Sequence, residues 1–178
     1  VYFKAESYIN QNLSEFVANK SNDLYELSFD KIELKINPVS ISVSDISLKP
    51  NKQKTDEILQ QQPDKTFYSF YSPEFEIIDI DLVQLFKDQF FYCKNVTVLQ
   101  PEFSISGEGI LQNNSTKNFD KAIHELWPLI QKRVKNVLID EIHFVDANYK
   151  LYQSANDFTQ ISNAQKISME IKKFRTDS

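Results

Sequence analysis

The chain has 178 residues, 41% of them hydrophobic and 25% charged, and a formal net charge of −5. That length supports one domain with a core that needs no staples. Two glycines cannot supply a phosphate-cradling loop or a dinucleotide fingerprint. One cysteine cannot make an internal disulfide or a thiolate zinc site, and an acidic chain with only two arginines argues against nucleic acid.

The chain opens on Val1-Tyr2-Phe3-Lys4, an aromatic and basic mixture of the kind found where a membrane helix leaves the bilayer. Such a mixture also suits the first turn of an ordinary soluble helix. No stretch approaches ~20 apolar residues, so no membrane span is expected within the sequence. Starting at Val1 and stopping at Ser178, it reads as a piece of a longer protein.

Ala5, Ile9, Leu13, Phe16 and Val17 follow helical spacing and predict an amphipathic helix up to Lys20, ended by the polar run Asn19–Asp23. The period then changes to two. Tyr25, Leu27 and Phe29 alternate with polar residues, and after Asp30-Lys31 the alternation resumes in the opposite phase at Ile32, Leu34 and Ile36. Beyond the turn signal Asn37-Pro38 come Val39, Ile41 and Val43. The phase slips again at Ser44-Asp45, before Ile46 and Leu48. Two strands that slip at nearly mirrored places predict a long, bent antiparallel hairpin.

Pro50–Thr66 is polar and reads as a connection with at most a helical turn near Ile58-Leu59. Strand character returns from Phe67 to Ile80, with Pro73 expected at an edge or a bulge. Asp79 or Asp81 is placed to cap a short helix through Leu82, Leu85 and Phe86. Phe90–Ile105 is strand-rich, and Gly107–Lys117 is a loop. Asn118 caps a helix over Phe119–Val134 that must kink or restart at Pro128. Val137–Tyr152 is a strand pair or one long bent strand, and Ile167, Met169 and Ile171 suggest a last strand. The expected fold class is α+β and β-rich. It comprises a bent antiparallel sheet, an N-terminal amphipathic helix over 1–22, and one or two helices inserted between the strand units of a single domain over 23–178.

Two segments resemble each other. Val96–Ile105 lines up with Ile142–Leu151, matching Val96 to Ile142, Val98 to Phe144, Leu99 to Val145, Phe103 to Tyr149 and Ile105 to Leu151. Each follows a helical segment, as in architectures whose units bury one face by stacking on their neighbours.

Residues that could carry chemistry are sparse. Asp79 and Asp81 could pair as acid and base but better suit a helix cap, and Glu74 and Glu76 suit a solvated strand face. His124 and His143 are far apart with no third ligand evident, so no metal site is expected. Lys94 could activate Cys93, although a buried, inert thiol is the better reading. Lys117, Lys121, Lys132, Arg133 and Lys135 could meet anionic headgroups but read first as a solvated helix face, and Trp127 reads as core. No catalytic, cofactor-binding or metal-binding residue is assigned.

The order of these elements resembles the AsmA-like family of bacterial envelope proteins, architectural relatives of TamB and of the chorein-type lipid-transfer bridges. The resemblance rests on the helix Val1–Lys20, the first strand Leu24–Leu34 and its return Val39–Leu48. It continues with Ile78-Asp79-Ile80-Asp81-Leu82-Val83-Gln84-Leu85-Phe86, and then Phe91–Phe103 with its apolar-x-apolar-x-x-Pro-x-apolar ending, and Val137–Leu151 looks like a further copy. These motifs are loose apolar spacings, and the Gln-rich insert Asn51–Thr66 departs from the pattern. The resemblance implies the membrane-proximal part of a non-enzymatic periplasmic protein involved in envelope lipid transport or outer-membrane assembly. It would be anchored in the inner membrane by a helix preceding Val1, with phospholipid or another envelope lipid, and other envelope proteins, as partners.

It also implies a trough whose apolar face meets acyl chains. The candidate lipid-facing residues are Tyr25, Leu27, Phe29, Ile32, Leu34, Ile36, Val39, Ile41, Val43, Ile46, Leu48, Val96, Val98, Phe103 and Ile105. The same residues would form a closed core if helices pack on them, and for a piece of this length the closed core weighs more. The rival function is a soluble β-sheet module that binds or scaffolds another protein through a strand edge without lipid. A carbohydrate-acting enzyme built on Asp/Glu pairs is the weakest reading.

Overall fold

The computed structural model describes residues 13–107, 136–153 and 160–176. The predicted helix 118–134, the basic cluster on it, Trp127, His124 and the start of the N-terminal helix lie outside these residues. Residues 13–20 are helical and form α1. The strands are β1 (Tyr25–Ser28), β2 (Lys31–Ile36), β3 (Val39–Pro50), β4 (Phe67–Ile80), β5 (Phe90–Leu99), β6 (Glu102–Ser106), β7 (Asn136–Tyr152) and β8 (Gln160–Thr176). Helix α2 (Lys52–Gln61) lies between β3 and β4, and α3 (Leu82–Asp88) between β4 and β5.

All eight strands belong to one sheet. β1 and β2 pair with β3 in one unbroken register, from Tyr25 opposite Pro50 to Ile36 opposite Val39. β5 and β6 likewise share one register against β4. The sheet is therefore six ribbons in the order β1/β2, β3, β4, β5/β6, β7, β8. The bent hairpin is present, and Val137–Tyr152 lies within one long strand. The sheet is mixed, however, because β7 runs parallel to β5 and β6. The connection from β6 to β7 spans more than the dozen residues that a parallel crossover needs.

Rows of side chains run across the ribbons. Ile32, Val43, Phe75, Val98, Phe144 and Met169 are successive cross-strand partners, as are Leu34, Ile41, Ile77, Val96, Ile142 and Ile171. The row between them is Glu33, Ser42, Glu76, Thr97, His143 and Glu170. Side chains opposite each other share a face and neighbouring rows alternate, so one face of the sheet is apolar and the other polar.

Two transverse creases cut these rows. The first passes through Asp30, Asp45, Pro73, Gln100 and Asp146 and reaches β8 beside Lys166, as the flanking registers place them. Asp45, Gln100, Asp146 and Lys166 have φ of 52°, 43°, 54° and 56°, in the left-handed region. The second passes through Asp79, Lys94, Asp140 and Lys173, with φ of 61° at Asp79 and 54° at Lys173. From Pro73 to Asp79 is six residues, about 20 Å of strand.

A left-handed residue re-phases the alternation and bends the strand. The apolar partners Leu27, Leu48, Phe70, Phe103 and Tyr149 beyond the first crease thus face the same side as the rows before it. In a flat sheet Phe103 would sit five residues along from the row of Phe144, about 16 Å. The two rings are instead 6.0 Å apart, edge to face, and Phe103 is 5.2 Å from the ring of Phe70. The sheet therefore folds toward its apolar side, and that side is concave.

The creases keep their backbone groups bonded, as burial requires. The Ser72 hydroxyl lies 2.7 Å from the carbonyls of both Glu74 and Leu99. The Gln100 N–H donates to Val145 O and the Asn148 N–H to Pro101 O, each at 2.7 Å. Tyr71 donates its hydroxyl to Asp45 Oδ1 at 2.7 Å at the first crease, and Tyr92 donates to Asp140 Oδ2 at 2.8 Å at the second. Pro73 accordingly sits at a bulge inside the sheet and not on an edge.

The segment after Pro50 is more ordered than its composition predicts. Asn51 caps α2 by accepting the Lys54 N–H at 3.1 Å, and Lys54 pairs with Glu57, one helical turn on. That capping and pairing make ten helical residues where one turn is expected. Asp81 is the cap of α3, accepting the Gln84 N–H at 2.9 Å.

Aspartate tolerates the left-handed region and a β-branched residue does not. Asp146→Val is therefore expected to destabilise the fold by about 1–2 kcal/mol and Asp146→Gly to leave it nearly unchanged, as read from urea unfolding midpoints.

Candidate functional site

The concave face is built from residues that alternate because strands alternate, and it is continuous because both creases restore the phase. Its centre is packed shut. Cys93 is fully buried, with Val98 3%, Ile80 5%, Val96 6% and Ile142 9% exposed, and Phe75, Ile77, Phe91 and Phe144 pack against this cluster. Toward the edge ribbons the same face opens. Leu34 is 42% exposed, Ile36 76% and Met169 46%.

The structure places the sequence-derived residues on this face as neighbours in its rows. Tyr25, Ile32, Val43, Val96, Val98 and Ile105 are buried. Leu27, Phe29, Val39, Ile41, Ile46, Leu48 and Phe103 are half-buried, and Leu34 and Ile36 are exposed at the β2 edge. Residues missed by sequence reasoning belong to the same rows: Phe70, Phe75, Ile77, Phe144 and Ile171 pack on the central cluster. Their alternation is visible in the sequence, but their membership in one face follows only from the pairing.

At the second crease the Cys93 thiol is pushed up to about 12, first by burial and then by the negative charge of Asp140. The thiol is thus raised and not activated by its neighbour Lys94. The Tyr92 hydroxyl is raised chiefly by its hydrogen bond to Asp140 and then by burial. Asp79 occupies the crease, and Asp81 caps α3. Glu74 and Glu76 lie on the convex face.

That convex face holds a group of a different kind. The ligand-type atoms of Glu141, His143 and Glu170 all lie within 4.8 Å of one another. His143 and Glu170 are direct partners across β7 and β8, and Glu141 is two residues before His143 on the same face. The expectation that His143 has no third ligand nearby is thus overturned. The Glu-x-His spacing is readable, whereas Glu170 joins it only through the β7–β8 register.

Among the described residues no helix is long and apolar enough to cross a membrane. Comparison with family models, with curated proteins and with solved structures gave no match.

The state of Cys93 supplies a check on the packed centre. A thiol reagent at pH 8 is expected to leave the folded chain unmodified and to titrate one thiol per chain in denaturant, followed by absorbance of the released thiolate.

Proposed function

We propose that this chain is a non-enzymatic lipid-handling segment of an AsmA-like envelope protein, lying in the periplasm and tethered to the inner membrane by a helix preceding Val1. One observation carries the reading: a single apolar face runs unbroken across six ribbons, on the concave side, and emerges into solvent at both edge ribbons. A globule that needs only a core gains nothing from apolar rows continued out to exposed edge strands. A surface that receives acyl chains does, at ~0.8 kcal/mol for each methylene removed from water.

The dimensions support the same reading. Six ribbons place the outer strands about 24 Å apart, longer than the ~15 Å depth of one leaflet's hydrocarbon. The apolar rows are therefore as long as an acyl chain, and the parts of them open to solvent lie toward the edge ribbons. The packed centre means that lipid engages the edges of the trough first, at Ile36 and Leu34 or at Ile167 and Met169.

A second reading follows from the edge itself. Among the described strands β8 pairs only with β7. Its outer hydrogen-bonding groups suit strand addition by another envelope protein, or a scaffolding role without lipid.

Extraction and mass spectrometry of the purified chain are expected to recover phospholipid. Met169→Glu, at an already exposed position on the apolar face, is expected to cut the retained lipid several-fold, while Glu76→Gln on the convex face leaves it unchanged. A lipid-free chain that also ignores liposomes would remove lipid handling and leave the scaffolding reading.

A further inference from the structure

We propose that Glu141, His143 and Glu170 form a binding site for a divalent transition-metal ion of the Zn²⁺ type on the convex face of the sheet, across β7 and β8. The site is independent of lipid on the opposite face. Its donors come from the straight strand segments between the two creases, so the backbone holds them at fixed spacing. Glu141 and His143 project from the same face of β7 at positions i and i+2, and Glu170 stands directly opposite His143 on β8. Two donors on one strand and a third on its neighbour converge on a single point above the sheet.

The distances suit an ion. Donor atoms bound at 2.0–2.2 Å around a tetrahedral metal lie about 3.4 Å from each other. His143 Nε2 is already 3.2 Å from Glu141 Oε2. The widest separation in the trio is at most 4.8 Å, and it closes by rotation of the exposed Glu170 side chain. The competing group is the Lys172 ammonium, 3.4 Å from Glu170 Oε1. That pair is exposed, and an exposed pair of this kind holds its partner weakly.

Donor chemistry selects the class of ion. An imidazole nitrogen favours Zn²⁺, Ni²⁺ or Cu²⁺ over Ca²⁺ and Mg²⁺, which prefer six or more oxygens. Two carboxylates neutralise the ion's charge, and three protein ligands leave a fourth position for water. Bound there, the ion would fasten the edge strand β8 to β7.

The test is calorimetric titration of the full chain, free of any histidine tag, with Zn²⁺ alone and with Mg²⁺ alone. The expected result is one equivalent of Zn²⁺ per chain, with Mg²⁺ binding at least a hundredfold weaker. His143→Ala and Glu170→Gln are each expected to weaken Zn²⁺ at least tenfold, and His124→Ala to leave it unchanged. Zn²⁺ should also raise the melting temperature of the parent chain and not that of His143→Ala, with circular dichroism confirming that each variant is folded. Unchanged affinity in folded His143→Ala, equal loss in His124→Ala, or the absence of saturable Zn²⁺ binding would each overturn the assignment.

Discussion

A strand can show one kind of side chain to each side only while its alternation holds, and a strand that bends must either lose that alternation or re-phase it. The bent, two-faced sheet of this protein follows from the second solution. At Asp45, Asp79, Gln100, Asp146, Lys166 and Lys173 the backbone enters the left-handed region. Most of these positions line up from ribbon to ribbon, so the bends add into two creases instead of scattering. Aspartate is a physically apt choice for three of them, since its short polar side chain tolerates that conformation better than most. The apolar rows stay on one side through both creases, and the sheet closes partly over them.

The bend in the first hairpin was legible because it appears as two phase slips, at Asp30 and at Asp45, which the register sets opposite each other. The likeness between Val96–Ile105 and Ile142–Leu151 was legible too, and its alignment coincides with the register in which the two segments pair. That they pair side by side and parallel could not be read, because sequence similarity says nothing of strand direction. Helix α2 was hidden behind a polar composition with no apolar stripe, and its cap at Asn51 was the only strong local signal. For the candidate site, the apolar alternation announced the face, while its open and closed parts depend on which strands lie at the centre. Glu170 could not have been joined to His143 without the pairing of β7 with β8.

The two faces of the floor carry different chemistry for one physical reason. Between the creases the ribbons are straight, so alternation sorts their residues cleanly: Val98, Phe144 and Met169 to one side, Thr97, His143 and Glu170 to the other. A hydrophobic surface and a set of converging donors therefore occupy the same short stretch of strand without interfering. The edge ribbon β8 takes part in both, through Met169 and Glu170, which are neighbours in sequence and face opposite ways.

Because the first crease runs across all six ribbons, the bend it makes is the same whichever strand it is measured on. A protein with that property resembles an extruded gutter: splicing in another ribbon with a kink at the matching height lengthens it and leaves its cross-section as it was. Length then becomes free to vary while shape does not. Duplication of a strand is thereby a gentle change to such a molecule, where in a closed barrel it would alter the diameter.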